Sequence, residues 1–479
     1  MKRAAVLGAL AAALVLPAVA AAAQAPDDPL APRQWYLARD RALDVFNAAQ
    51  QLLAVRVAVI DSGVEMGHPE LKGRIVADKS FVGGSVADTQ GHGTFVAGEI
   101  AAIADNGVGI AGLAPPARLI VAKVVGDDGS IQPKAEARAI RWAVKQGARV
   151  INLSLGSVRD PLDPSVDGFS PVERRAIDSA VRHGVLVVAA VGNGNDAPQK
   201  PWPYASYPAA FPHVLGVAAY GRSGAVPAFS NRDPQYVDLA APGMDIVSLF
   251  PHPLTQHNPA CAEQGYSPCG PREYRQGDGT SFSAPQVAGA AALLLGQAPS
   301  LRPDQVSTIL RTTADDATPA NGCSDCTVDQ DAATGFGRLD VGAALAALHG
   351  QLPAPDRFEP NDDVGRWADT VYRNLDARAT LDWWDDANDV YRFHLKPGQR
   401  VSAYVASSKV DPSIYLWKPG LRSLASTRSD LRARRSIHPF GAPERVRLRT
   451  YKGGWYSLQV KLARPGFGPY RIRLTFSPK

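Results

Sequence analysis

Residues 277–289 read GDGTSFSAPQVAG and run directly into the apolar segment AALLLG. Gly279 precedes the hydroxyl residues and Pro285 lies within the first turn, where a missing amide hydrogen does little harm, so the stretch predicts the start of a buried helix. Ser281 at this start is either a helix cap or a nucleophile. The stretch alone does not distinguish these two roles.

Four apolar, β-rich runs precede this helix, separated by Ala-rich helical runs. They are VRVAVI (55–60), LIVAKVV (119–125), VINLSLG (150–156) and VLVVAAVG (185–192). Continuous apolar strands between amphipathic helices are typical of a parallel sheet that is covered on both faces. We therefore predict an α/β domain with a mainly parallel central sheet flanked by helices, over residues 24–350.

The sequence pattern changes after Gly350. QLPAPDRFEPNDD is rich in proline and aspartate, and predicts a linker at 351–360. Beyond it, short alternating runs such as DVYRFHL, RVSAYVA and YRIRLTF are separated by turn sequences such as KPGQ and RPGFG. This pattern predicts a small all-β sandwich over residues 361–479.

The first 23 residues have the organisation of a secretory signal peptide. Lys2 and Arg3 are followed by an apolar stretch and then by small residues that suit signal peptidase. A membrane anchor is the alternative, but the apolar part is short and is interrupted at Pro17. We expect export to the periplasm or the medium, a mature chain that begins near Gln24, and no stable membrane insertion after signal removal.

Charge does not point to a nucleic-acid partner. The net charge of +5 is spread along the chain, and the local cluster of Arg432, Arg434 and Arg435 is interpreted as a solvated surface.

The four cysteines form two close pairs in sequence, Cys261 with Cys269 and Cys323 with Cys326. In an exported chain two local disulfides are favoured, although four cysteines allow three pairings. Redox chemistry or zinc binding at the CxxC of Cys323 is the alternative, but the chain around it offers no second CxxC and no pair of histidines.

Four polar residues follow predicted strands or begin predicted helices, which is where open α/β sheets place their ligands. Asp61 follows the first strand, Asn193 follows the strand VLVVAAVG, and His92 in GHGTFVAG and Ser281 each begin a helix. A serine hydroxyl needs a base, His92 can act as one if Asp61 fixes its tautomer, and an amide such as that of Asn193 stabilises a developing oxyanion. Read singly, each residue is equally explained as a turn, cap or core residue.

Three long motifs resemble those of the subtilisin-like serine proteases, the subtilases: VAVIDSGVEMGHPEL, GHGTFVAG and GTSFSAPQVAG, in the family's order of Asp, His and Ser. The resemblance covers about residues 28–348. It implies a catalytic triad of Asp61, His92 and Ser281, with Asn193 and the backbone amide of Ser281 as oxyanion donors. The sequence departs from the family's usual pattern at Phe95, Phe282 and Gln286.

The resemblance also implies how a substrate and a metal are bound. An extended peptide is expected along Ser154, Leu155 and Gly156, with Gly129 on the opposite edge and Ala190 and Val191 in the wall of the specificity pocket. A structural calcium ion is expected at a site formed by the side chains of Asp28, Glu70 and Asn106 and the carbonyls of Ala104, Val108 and Ile110. Glu70 replaces the more common aspartate.

The C-terminal region resembles the bacterial prepeptidase C-terminal domain through DRFEPNDDVGRWAD, DDANDVYRFHLKPGQRV and DPSIYLW. The two resemblances together imply a secreted serine endopeptidase that acts on proteins or peptides, without an organic cofactor, and we expect a monomer. A non-catalytic peptide-binding protein, and an esterase or peptide ligase with the same acyl-enzyme chemistry, are the alternatives.

Overall fold

The computed structural model describes residues 25–195, 197–255, 266–267, 273–348, 356–359, 361–382, 388–422, 424, 429–464 and 467–477. The predicted signal segment 1–23, the predicted pair Cys261 and Cys269, and part of the predicted linker 351–360 lie outside the described residues.

The first region of the chain contains the helices. The α-helices, in chain order, are α1 (Trp35–Arg39), α2 (Phe46–Ala49), α3 (His92–Ala101), α4 (Pro133–Lys145), α5 (Pro171–Arg182), α6 (His252–Thr255), α7 (Thr280–Gln297), α8 (Pro303–Thr312) and α9 (Val341–Ala347). Short 3-10 helices lie at Ala31–Arg33, Leu43–Val45, Pro69–Leu71, Pro319–Asn321 and Ser429–Leu431.

Strands form a central sheet and three smaller sheets. The strands up to residue 277 are β1 (Arg56–Asp61), β2 (Ile75–Ser80), β3 (Arg118–Lys123), β4 (Val150–Leu153), β5 (Leu186–Ala190), β6 (Val214–Tyr220), β7 (Leu239–Pro242), β8 (Ile246–Leu249), β9 (Tyr266–Ser267) and β10 (Tyr274–Gly277). The later strands are β11 (Asp369–Thr370), β12 (Leu375–Asp382), β13 (Asn388–Leu395), β14 (Arg400–Ala406), β15 (Pro412–Trp417), β16 (Arg432–Ser436), β17 (Glu444–Arg449), β18 (Gly454–Leu462) and β19 (Phe467–Ser477).

The central sheet has seven parallel strands in the order β2-β3-β1-β4-β5-β6-β7. The four strands expected from the sequence all belong to it, so the predicted mainly parallel sheet is confirmed. Strands β2, β6 and β7 were not expected. In β2 the sequence IVADKS is half polar and none of its residues is buried, which removes the apolar signal of an internal strand.

Both faces of the sheet are covered, and this explains the continuous apolar strands. Alternate residues of β1 enter different cores: Val57 and Val59 pack on one side of the sheet, and Ala58 and Ile60 on the other. Helices α3 and α7 fill the first side, and α4 and α5 cover the second. Helix α7, predicted as buried, has all but two of its 18 residues buried.

The C-terminal region is built from antiparallel strands in two sheets, ordered β11-β13-β18-β15-β16 and β12-β19-β14-β17, with only β11 and β13 parallel. One apolar core is shared by strands of both sheets, including Phe393, Leu458 and Ile472. The predicted all-β arrangement of this region is confirmed.

Polar contacts hold the start of the β region against helix α5 and the end of the loop before β6. Arg174 and Asp178 of α5 form ion pairs with Asp363 and Arg366, respectively. His213 lies 2.9 Å from the Asp362 carboxylate through its Nε2. These ion pairs all use the segment that precedes β11, and Arg174 also donates to the Arg422 carbonyl at 3.3 Å, in the connection between β15 and β16.

Cys323 and Cys326 are placed as a disulfide in the loop between α8 and α9. Both side chains are buried in a small cluster with Ala317 and Ala333.

Two buried carboxyl groups face each other between helices α4 and α5. Burial raises the pKa of Glu136 well above its usual range, and the charge of Glu173 raises it further. Burial raises the pKa of Glu173 to about 7. The pair is therefore most stable when it holds a proton, because a charge on both groups would be buried without a cation.

This pair makes stability depend on pH. The pKa of Glu173 is higher in the folded state, about 7, than the unfolded value of about 4.5, so the folded chain binds more protons and loses stability as pH rises through 7. We predict that Glu173→Gln, which keeps the size of the side chain but removes its charge, raises stability at pH 9 by about 2 kcal/mol and by much less at pH 5. Denaturant unfolding at both pH values measures this. An equal change at pH 5 and pH 9 would contradict the shared proton.

Candidate active site

The residues predicted to take part in catalysis lie at the topological switch point of the sheet, where the strand order changes direction. Strands β1 and β4 are neighbours, but the chain continues from β1 toward β2 and β3 on one side and from β4 toward β7 on the other. A crevice forms at such a point beyond the carboxyl ends of the strands. Asp61 is the last residue of β1, Ser154 follows β4, and Asn193 follows β5.

Asp61 and His92 are hydrogen-bonded. Asp61 Oδ1 lies 2.8 Å from His92 Nδ1 and also accepts a hydrogen bond from the Ser62 amide at 2.7 Å. The Asp61 side chain is 3% exposed and that of His92 is 21% exposed. A carboxylate on Nδ1 keeps the proton on that nitrogen and leaves Nε2 as the basic atom.

The same carboxylate sets the basicity of the ring. Burial lowers the pKa of His92, but the charge of Asp61 and the hydrogen bond to it raise the pKa by more. The net result is a pKa above the ordinary 6.5, which makes the neutral imidazole a stronger base.

Asp88 positions His92 and was not identified from the sequence. Its carboxylate accepts hydrogen bonds from the amides of Gly91 and Thr94, both at 2.8 Å, at the first turn of α3. It also accepts a hydrogen bond from the Ser62 hydroxyl at 2.8 Å, and that hydroxyl accepts one from the Gly93 amide at 2.9 Å. An aspartate shortly before a helix start is a capping signal, so a local search for caps would have found Asp88.

Ser281 is the second residue of α7 and is tied to Ser154 in both directions. The Ser281 hydroxyl donates to the Ser154 carbonyl at 3.2 Å, and the Ser154 hydroxyl donates to the Ser281 carbonyl at 2.7 Å. Between the described side chains of Ser281 and His92 no hydrogen bond is formed in this conformation. The ring of Phe282, the next residue, lies 5.6 Å from the His92 ring, measured between centroids.

Asn193 is oriented by Thr280. Its Oδ1 accepts hydrogen bonds from the amide and the hydroxyl of Thr280, at 2.9 Å and 2.8 Å. Because a backbone amide can only donate, the side-chain oxygen must point to Thr280, and the Nδ2 donor remains for a ligand. Asn193 lines the same cavity as Ser281.

This cavity has a volume of about 140 Å³ and opens beside Ser281. Of the predicted substrate-binding residues it is lined by Ser154, Leu155, Gly156 and Ala190. A Cβ on Gly156 would lie 2.3 Å from the Tyr207 carbonyl oxygen, so only glycine permits this close approach of two chain segments.

Two polar residues that line the cavity were missed by sequence reasoning. Ser206 and Asn231 come from separate loops, and the Asn231 Nδ2 donates to the Ser206 hydroxyl at 3.2 Å. The Asn231 side-chain oxygen is buried without a partner among the described residues. Neither residue stands in a motif that distinguishes it from an ordinary loop residue, so only the fold could bring them together here.

Two other predicted substrate-binding residues do not line this cavity. Val191 is fully buried and its side chain packs in the core beneath the sheet, where its Cγ1 would lie 3.3 Å from a Cβ on Gly216. Gly129 is exposed in the turn between Val125 and Ile131, which form a β-bridge.

Three of the predicted calcium ligands, Asp28, Glu70 and Asn106, lie close together, and the Asn106 side-chain oxygen accepts a hydrogen bond from the Val108 amide at 2.8 Å. Asp28 accepts hydrogen bonds from the amides of Asp105 and Asn106 at 3.0 Å and 3.2 Å. Burial raises the pKa of Glu70 to about 7, and the nearby charge of Asp28 raises it further. One Glu70 oxygen, Oε2, is buried without a hydrogen-bond partner in the described part of the chain.

These features fit a hard cation. Ionisation of two buried carboxyl groups is unfavourable when their negative charges lie close together, and a calcium ion between them would compensate these charges. Calcium also prefers carboxylate and carbonyl oxygens as ligands. Among the hydrogen bonds of the described residues, none ends on the carbonyl of Ala104, Val108 or Ile110, so these predicted ligands are available. The carboxylates of Asp27, Asp28 and Asp105 also lie within 4.8 Å of one another, and Asp27 and Asp105 were not predicted.

The arrangement can perform acyl transfer. It combines a histidine held by a carboxylate, a serine at a helix N-terminus, and an amide donor beside a cavity. It is built from the ends of β1, β4 and β5 and the starts of α3 and α7.

Comparison with known proteins identifies the family of this chain. Residues 54–337 match the family model described as the subtilase family. Subtilisin BL of Lederbergia lenta is 35% identical over 305 residues, which is 63% of this chain and 98% of that protein. The major intracellular serine protease of Bacillus subtilis (strain 168) is 37% identical over 247 residues, or 50% of this chain and 68% of that protein.

Solved structures show the same fold. A protease from Pseudoalteromonas arctica superposes with a TM-score of 0.54 at 27% identity, and covers 68% of this chain and 99% of its own. A lanthipeptide protease superposes with a TM-score of 0.55 at 25% identity over the same shares. The chain therefore belongs to the subtilase family and is a subtilisin-like serine endopeptidase.

Proposed function

We propose that this chain is a secreted endopeptidase in which Asp61, His92 and Ser281 form the catalytic triad and Asn193 is an oxyanion donor. The observation that carries this proposal is the 2.8 Å contact between Asp61 Oδ1 and His92 Nδ1 at the topological switch point of the sheet, beside helix α7, whose second residue is Ser281.

In the proposed reaction the Ser281 hydroxyl leaves the Ser154 carbonyl and donates to Nε2 of His92. Catalytic hydrogen bonds are often long or unformed before substrate binds, so the observed conformation is compatible with this step. As Ser281 Oγ bonds to the peptide carbonyl carbon, His92 takes the hydroxyl proton and Asp61 stabilises the imidazolium.

The oxyanion is then held by Asn193 Nδ2 and the Ser281 amide. His92 returns its proton to the leaving amine as the C–N bond breaks, which leaves an acyl-enzyme. Water attacks this ester, gives its proton to His92 and releases the carboxylic acid, while the proton returns to Ser281.

The substrate chain is proposed to lie along residues 154–156, with the turn at Gly129 on its other side. Backbone pairing of this kind tolerates many sequences. The side chain of the residue before the cleaved bond would enter the cavity, where Ala190 and Leu155 are apolar and Ser206 and Asn231 offer polar groups.

Export is proposed from the signal-like residues 1–23, which precede every described residue. In the described part of the chain, no helix has the length and hydropathy needed to cross a bilayer. The predicted boundaries, 24–350 for the protease, 351–360 for the linker and 361–479 for the β-sandwich, are part of the same proposal, as is a monomeric state.

A calcium ion is proposed at Asp28, Glu70 and Asn106. When bound, it would supply positive charge that stabilises the two buried carboxylates and fixes the loop 104–110 to the N-terminal segment.

The proposed nucleophile is tested by substitution. We expect Ser281→Ala to lose labelling by a serine-directed fluorophosphonate and to lower kcat by about 10⁶-fold, as removal of the corresponding serine does in subtilisin. Ser283→Ala is the matched control, because Ser283 lies in the same helical turn as Ser281 but its hydroxyl donates to the carbonyls of Ala241 and Pro242 in β7. It should keep labelling and lose about 1 kcal/mol of stability.

A wild-type chain that is not labelled and does not hydrolyse a mixed peptide library would contradict catalysis and favour a peptide-binding protein. Hydrolysis of esters without cleavage of peptides would favour an esterase.

The pH profile tests His92 as the base. Because the neutral ring is active and its pKa is raised by Asp61, kcat/KM should rise with pH through a midpoint above 6.5. In Asp61→Asn the rate should fall by about 10⁴-fold. The pH midpoint of the residual kcat/KM should also be lower, because burial lowers the pKa of His92 and the carboxylate no longer raises it. Initial rates on a peptide substrate from pH 5 to 10 measure this, and an unchanged midpoint in Asp61→Asn would contradict the assigned roles.

Calcium removal tests the metal site. We expect chelation to lower the melting temperature, and calcium at 100 times its Kd to stabilise the chain by about 2.7 kcal/mol. Glu70→Gln should reduce this stabilisation strongly, whereas the exposed control Asp44→Asn should keep it. Because calcium competes with a proton on Glu70, whose pKa is about 7, the stabilisation should also weaken below that pH. Equal calcium responses in both variants would contradict Glu70 as a ligand.

A further inference from the structure

The outer face of the β12-β19-β14-β17 sheet carries a concentration of arginines that the proposed protease activity does not use. Alternate residues of these strands point to solvent, while their neighbours enter the core of the β region. We call the exposed set the arginine face; its members are Arg378, Arg400, Arg445, Arg447, Arg449, Arg471 and Arg473.

Strand register places like charges directly opposite each other on this face. Arg378 pairs with Arg471, and Arg400 pairs with Arg449. Like charges in such positions destabilise a sheet. The sequence nevertheless keeps arginine at both pairs.

One carboxylate is present among the described side chains of the face. Asp376 accepts hydrogen bonds from Arg471 at 2.8 Å and Arg473 at 2.9 Å, and these arginines lower its pKa to about 2. Seven arginines and one aspartate make a charge of +6 (7 − 1) on these side chains, compared with +5 for the whole chain.

The remaining arginines are available to a ligand. Arg378, Arg400, Arg447 and Arg449 form no ion pair with any described residue. Arg445 lies over the ring of Tyr404, with its guanidinium carbon 4.8 Å from the ring centroid.

The face is also free of the protease region. The ion pairs of the β region with helix α5 and with His213 use Asp362, Asp363 and Arg366, which precede its first strand, and Arg174 of α5 also donates to the Arg422 carbonyl, between β15 and β16 of the other sheet. A large ligand can therefore approach the sheet without displacing the junction.

The spacing of the charges is regular. Arg445, Arg447 and Arg449 alternate along β17, so their Cα atoms are about 6.8 Å apart in sequence order, and adjacent strands are about 4.8 Å apart. An array of cations at regular intervals is complementary to a polymer that repeats an anionic group. Every cation is arginine, whose planar fork can bind carboxylate or sulfate through two hydrogen bonds.

We propose that the arginine face binds an acidic polysaccharide through the carboxylate or sulfate groups of successive sugars. Nucleic acid is disfavoured because the face offers one described aromatic ring, Tyr404, and Arg445 covers it, so bases have no stacking surface. A lipid bilayer is disfavoured because the outward positions of β14 and β17 present no exposed aliphatic side chain that could insert into it.

The experiment measures binding of the full chain to polygalacturonate and to heparin at low and at physiological salt. We expect binding of at least one polymer, weakened by salt, and weakened at least about tenfold at low salt in Arg445→Gln/Arg447→Gln/Arg449→Gln. The matched control is Arg432→Gln/Arg434→Gln/Arg435→Gln, which removes the same charge from β16 of the other sheet and should change binding less than twofold. Polygalacturonate alone would assign carboxylate recognition, and heparin alone sulfate recognition.

Asp376→Asn gives a test in the opposite direction. It removes the one described carboxylate of the face and releases Arg471 and Arg473, so binding should tighten. Melting temperatures establish that each variant is folded.

Three results would overturn the proposal: absence of binding to both polymers, an equal loss in the two triple variants, or tighter binding of single-stranded DNA than of either polysaccharide at equal charge. None of these readouts depends on peptide hydrolysis, so a failure here is distinguishable from a failure of the proposed catalytic residues.

Discussion

The buried carboxylate of Asp88 holds together the part of the molecule on which the site depends. It accepts five hydrogen bonds, from the Ser62 hydroxyl, the amides of Gln90, Gly91 and Thr94, and the Thr94 hydroxyl. These bonds join the loop after β1 to the first turn of α3. Asp61 directly precedes the first of these segments and His92 begins the second, so the connection supports their 2.8 Å contact. A Cβ on Gly93 would lie 2.1 Å from the Gly63 carbonyl oxygen, which shows how closely the two segments approach.

Hydrogen bonds between separate segments of the chain also hold the second half of the site, which contains Ser281 and Asn193. Thr280 fixes the amide of Asn193, and Ser154 exchanges two hydrogen bonds with Ser281. Thr280, which precedes Ser281, orients the side chain of Asn193, and Ser154 on the proposed substrate edge binds both the hydroxyl and the carbonyl of Ser281. The proposed reactive groups are therefore placed by the ends of strands and helices rather than by flexible loops, as precise transition-state stabilisation requires.

Like charges lie close together in three parts of the chain, and the repulsion is balanced differently in each. Between α4 and α5, Glu136 and Glu173 lie together without a cation, so burial favours their protonated forms. Near the N-terminus, Asp28 and Glu70 lie beside unused carbonyls, an arrangement that suits a calcium ion. On the β region, the arginines lie on an exposed face, where water screens their mutual repulsion. The proposed anionic polymer would balance their charge when it binds. The same electrostatic rule thus favours a proton in the first case and underlies the proposed calcium ion and the proposed polymer in the other two.

The sequence by itself determined the fold class and was enough to propose the reactive residues, because both leave local patterns in the chain. Apolar runs such as VRVAVI predict buried strands, and glycine, histidine and serine motifs stand at the ends and starts of those elements. Only the tertiary structure decided what surrounds them. Ser206 and Asn231 reach the cavity from separate loops, Val191 turns its side chain into the core, and Ser281 donates to Ser154 before substrate binds. The arginine face likewise depends on which strands pair and in which register, and pairing between segments up to about a hundred residues apart leaves no local pattern in the chain.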